Sequence, residues 1–137
     1  MNRLMPFFAL LLTMFLPQTA IADNSPNQRA CDAASSTNAY DSMVVYCRAE
    51  AQEDEQRALS ETGEVRAADE VMAAICLSQT ALAEYVLGNR DDALSDFKSA
   101  NDLLRPHLDI ADASERTIVT NMYDQNLTVI NRIEGTQ

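Results

Sequence analysis

The sequence predicts an all-α protein of about four antiparallel helices, packed as an open array or a compact bundle. Apolar residues recur every three or four positions over residues 40–59, 64–87, 90–104 and 113–133. The breaks between these stretches carry glycine, proline or capping residues, and no run alternates with the two-residue period of a strand.

The first 22 residues read as a targeting segment. Arg3 precedes an apolar run from Met5 through Leu16, then Pro17 and the small-residue ending Ala20-Ile21-Ala22. That is the pattern of a secretory signal peptide cleaved after Ala22. The run is short for a membrane span, and no cysteine stands at the cleavage point to take a lipid. The expected location is periplasmic, with secretion as the alternative, and no stable membrane insertion follows cleavage. The chain divides into the signal peptide (1–22), a flexible polar leader (23–38), one helical domain (39–134) and a tail (135–137). Loss of Arg3 takes the formal charge from -11 to -12. Such an acidic balance disfavours nucleic acid and anionic lipid, and suits a basic partner.

Within the domain, the first helix carries Met43, Cys47, Ala51 and Ala58 on one stripe, and its acids Glu50, Glu53, Asp54 and Glu55 are expected mostly on a solvated face. Residues 60–63 make a turn. The second helix is apolar on two sides, with Ile75, Leu82 and Val86 on one and Leu77, Ala81 and Tyr85 on the other, so two neighbours should cover it. Gly88 suits the left-handed end of this helix, and Asn89 with Asp92 the start of the third. Asp91 and Asp92 fall in a first turn, where negative charge meets the helix dipole. Pro106 stops the third helix, and Asp112 with Glu115 opens the fourth.

Residues 68–104 resemble a tetratricopeptide repeat. Gly88 is followed at helical spacing by Ala93, Phe97, Ala100 and Leu104, while Leu77, Ala81 and Tyr85 repeat on the helix before it. The match spans one repeat, and Glu84 stands where an aromatic is usual. The resemblance implies a protein-protein interaction module. It places Ser78, Leu82 and Tyr85 on the inner face that holds a partner segment.

Export makes disulfides expected. A hairpin turning near Thr62 puts Cys47 and Cys76 at one level, with Ala49, Ala51, Ala73 and Ala74 permitting close approach, and this predicts a Cys47–Cys76 bridge. Cys31 is then the odd thiol, able to compete for Cys47, join another chain in an oligomer, or stay unbridged.

Chemistry-bearing patterns are sparse. The sole histidine, His107, follows Pro106 in a connection without a nucleophile motif nearby, and the cysteine spacings do not suit a metal site. No catalytic residue, cofactor or metal is expected. Two function classes remain. The first is an exported, non-enzymatic module for another protein or peptide, in a narrower version an acidic inhibitor or immunity-type protein covering a basic target. The second is a small-ligand binder or enzyme that uses carboxylates such as Glu84 and Asp96 in an interhelical pocket.

Overall fold

The computed structural model describes residues 25–135, so the expected signal peptide and its expected cleavage point lie outside the described residues. Five α-helices and one short 3₁₀ turn make up this part: α1 (Pro26–Ser36), α2 (Tyr40–Ala58), α3 (Gly63–Val86), α4 (Arg90–Leu104), the 3₁₀ turn Arg105–His107, and α5 (Ala113–Gly135). The all-α class holds, and α2 to α5 fall where the periodicity placed them.

Helix α1 replaces most of the expected leader. Ser25 caps it by accepting from the Gln28 backbone N–H at 3.0 Å, and Pro26 takes the first position, where its missing N–H costs nothing. The helix buries Gln28, Cys31, Ala34 and Ser35. Its polar composition conceals this interior face in the sequence.

Two of the turns between successive helices are the same turn built twice. In α1–α2 the Ala39 N–H donates to Ala34 O at 2.8 Å and Asn38 N–H to Ser35 O at 3.3 Å; in α3–α4 Asn89 N–H donates to Glu84 O at 2.8 Å and Gly88 N–H to Tyr85 O at 3.2 Å. Every member of the second set lies 50 positions after its counterpart, including the two left-handed residues, Asn38 at φ 55° and Gly88 at φ 89°. Both are Schellman closures, which give the last helical carbonyls a partner and reverse the chain within three residues.

A second regularity fixes how the hairpins stack. Four side-chain contacts join residues 48 apart: Gln28 with Cys76, Cys31 with Gln79, Arg48 with Asp96, and Ser78 with Asn126. A constant separation across different helices means parallel neighbours in one register. Helices α1, α3 and α5 therefore form one layer, and α2 and α4 the other.

Helix α3 is the centre. All twelve residues from Ala73 through Glu84 are buried, because α3 is covered on every side rather than on the two that its apolar stripes suggested. One core cluster joins Met43, Ala81, Phe97 and Ile130, and a second joins Ala51, Ile75, Leu104 and Met122. Alanines at 51, 74, 81, 93 and 100, all 0% exposed, let the helix backbones approach closely.

The disulfide joins Cys31 to Cys47, with Cα atoms 4.7 Å apart, and corrects the expected Cys47–Cys76 pairing. Cys31 is not an odd thiol. It lies seven positions before Asn38 and Cys47 nine after it, so the α1–α2 hairpin levels them. The wider turn near Thr62 does not bring Cys76 to Cys47, because α1, whose polar composition conceals it in the sequence, occupies that side and presents Cys31 instead. Cys76 stays outside the bridge as a buried thiol on the face of α3 turned towards α1, its Sγ 4.0 Å from Gln28 Oε1.

Candidate docking groove

Helices α2 and α4 lie side by side over α3 and leave a groove of about 440 Å³ between them. Arg48, Gln52 and Glu55 line it from α2, Asp96, Ser99, Asp102 and Leu103 from α4, and Leu77 of α3 forms the floor. The spacings of four and three on α2, and of three and three on α4, aim each set in one direction from its helix. Volumes of about 300–1,000 Å³ suit a small ligand or a few side chains of a partner.

One end of the groove is closed by an ionic cluster. Arg48 Nη2 lies 2.7 Å from Asp96 Oδ2 and 3.3 Å from Glu84 Oε2, tying α2 to α4 and to the end of α3. Glu84 is 3% exposed, whereas Asp96 faces the groove. Burial raises the Glu84 carboxyl to about 8, reinforced by its hydrogen bond with Asp96 and by that residue's charge, and opposed by Arg48. Glu84 therefore holds its proton more tightly than an ordinary glutamate does, which lowers the cost of placing a second acid beside Asp96 on the one Arg48 guanidinium. Farther along, burial also lifts Glu55 above the ordinary glutamate value.

The residues expected to line a groove stand elsewhere. Ser78 is buried, its Oγ donating to Ala74 O at 2.9 Å and accepting from Asn126 Nδ2 at 2.9 Å. Leu82 is 8% exposed within the core, and Tyr85 is half-buried against the same cluster. Enclosure of α3 by its neighbours turns these positions into packing. The groove lies instead over Leu77, on another face of the same helix. Glu84 and Asp96, the carboxylates that the sequence suggests for an interhelical pocket, both reach Arg48, but only Asp96 lines the groove.

Other polar groups hold the helices in place. Asn126 on α5 also donates to Asn101 Oδ1 at 3.0 Å, and Asn101 Nδ2 donates to Tyr123 O at 3.2 Å, which links α3, α4 and α5 through buried amides. The supposed solvated acids of α2 are partly interior: Glu50 is 0% and Asp54 1% exposed. Ser25 Oγ donates to Glu50 at 2.6 Å, Asn27 Nδ2 donates to Glu53 at 2.6 Å, and Arg57 pairs with Asp54. The bonds from Ser25 and Asn27 dock the start of α1, a feature that acidic composition alone does not reveal. His107 is docked as well, its Nε2 3.1 Å from Glu70 Oε1.

Among the described residues, no group of three or more His, Cys, Asp or Glu is arranged to hold a metal, and no helix is long and apolar enough to cross a membrane. Comparison with protein families, curated proteins and solved structures finds no match to this chain.

Proposed function

We propose that this protein is an exported, non-enzymatic protein-protein interaction module, periplasmic in preference to secreted, whose α3–α4 pair is a tetratricopeptide-like hairpin. The α2–α4 groove carries the reading: an open cleft with an apolar floor and polar walls, held by a scaffold of two hairpins that turn in the same way. The walls are rigid because their helices are anchored to α3 by alanine contacts and by Arg48. A preorganised cleft loses little entropy when a partner docks. The Cys31–Cys47 bridge suits an oxidising compartment, in agreement with the targeting segment read from residues 1–22.

The test is affinity capture from the source cell's envelope with the wild-type protein and with Ser99→Trp, which fills the cleft from an exposed position. A protein retained by the wild type and lost with the variant supports the module. An identical retained set for both contradicts it.

A second reading is supported by the Glu84–Asp96 pair, two carboxyl groups gathered on Arg48, with burial raising the Glu84 carboxyl to about 8. Such a pair suits a small cationic ligand or acid-base chemistry. Under this reading Glu84→Gln abolishes ligand binding or turnover while the groove walls stay intact; under the first, it leaves partner capture in place.

A further inference from the structure

We propose that the α2–α4 groove takes one face of a basic amphipathic helix, with an apolar side chain resting on Leu77 and Leu103 and a lysine or arginine reaching Glu55 and Asp102. This rests on the reading of the groove as a docking site and names the chemistry of what docks. Both walls are helices whose main-chain N–H and C=O groups are used internally. An extended segment therefore finds no sheet edge to join, and its own main-chain groups lose water without gaining partners. A helix arrives with those bonds already made. The groove's walls run from residue 48 to 55 on α2 and from 96 to 103 on α4, seven residues or about 10 Å of helix. Two turns of a partner helix cover that length, with anchors three and four residues apart.

Charge complementarity sets the sign of the partner. Arg48 is the one cation among the groove-lining residues, and Asp96 and Glu84 engage it. Glu55 and Asp102 remain as acids at the open end. Asp102 meets Arg105 at 2.9 Å, but both side chains are more than half exposed, and a pair of that kind contributes only about 0–1 kcal/mol. A partner cation displaces it at little cost. The formal charge of -11 over the chain adds long-range attraction for the same class of partner.

The experiment is an amide and methyl NMR titration of the purified protein with a synthetic lysine-leucine amphipathic helix and with its glutamate-leucine twin. The protein is used as wild type, as a Glu55→Lys/Asp102→Lys variant, and as an Asp109→Lys/Glu115→Lys control of equal charge change at exposed sites outside the groove. The proposal expects saturable shifts at Gln52, Leu77, Ser99 and Leu103 with the lysine peptide. Affinity should fall about tenfold or more in the groove variant and about twofold or less in the control, a local effect on top of general attraction. Equal weakening by both variants, shifts centred elsewhere, or equal binding of the glutamate peptide overturns it. If the lysine peptide leaves the groove unshifted while Ser99→Trp still loses an envelope partner, the basic-helix proposal fails and the docking reading stands.

Discussion

Asn38 and Gly88 hold the same place in two copies of one turn, both with positive φ and both followed by a residue whose N–H reaches back five positions at 2.8 Å. Glycine adopts this conformation without strain, whereas a side chain there costs roughly 1–2 kcal/mol, asparagine somewhat less. Nothing lies within 4 Å of a Cβ placed on Gly88, so space is not the obstacle there. Gly88→Ala should therefore destabilise by about 1 kcal/mol through the backbone alone, and Asn38→Gly should be neutral or stabilise by less than that. Urea denaturation of the two variants checks the pair.

Closing the 16-position span between Cys31 and Cys47 restricts the unfolded chain by roughly 3 kcal/mol. Cys31→Ser should lose about that much stability, whereas Cys76→Ala should change it by the smaller amount expected for trimming one buried sulfur. Non-reducing peptide mapping of the wild type should return a Cys31–Cys47 cross-link. A Cys47–Cys76 peptide would show that the hairpins pair differently.

The Glu84 carboxyl gives stability a pH dependence of definite sign. Its value is about 8 in the folded chain against 4.5 as the ordinary reference, so the folded state holds the proton more tightly. The contribution is fully present below about 4.5 and is lost as pH rises through about 8. Glu84→Gln keeps a neutral hydrogen-bond donor beside Asp96 and should flatten the dependence between those values. Thermal melts at a series of pH values check the slope, and an unchanged slope in the variant would assign it to other groups.

Much of the fold was legible from apolar spacing. The four longer helices, the Gly88 turn and the Asp112 cap all appear as read, the last with the Glu115 N–H donating to Asp112 Oδ1 at 3.0 Å. Helix α1 was not legible, because serine, asparagine and alanine at 25–36 carry little hydrophobic period, although Ser25-Pro26 is a helix-start signal. Without α1, spacing favours a Cys47–Cys76 bridge and gives α3 an open face; with it, Cys31 meets Cys47 and that face is covered. The tetratricopeptide resemblance puts Ser78, Leu82 and Tyr85 on a partner-holding face, which α1 and α5 help to cover. The real groove depends on how far α2 and α4 stand apart, which spacing within one helix does not encode. The sequence does suggest Glu84 and Asp96 for one interhelical pocket, but their meeting at Arg48 depends on the same packing.

Asn126 shows why buried polar residues matter to this array. Its amide bridges Ser78 on α3 and Asn101 on α4. Asn126→Leu removes donors on which both neighbours depend and should cost about 1–3 kcal/mol. Ser78→Ala combined with it should cost less than the sum of the two separately, since the residues share one network. A double-mutant cycle measured by chemical denaturation gives the coupling.

The most direct test of the docking claim is hydrogen exchange, read by mass spectrometry, on the protein with and without a partner retained by capture. The account predicts slowed exchange confined to residues 48–55 of α2 and 96–103 of α4, with α1 and α5 unchanged. Protection on α1 and α5 with none on α2 and α4 would contradict it.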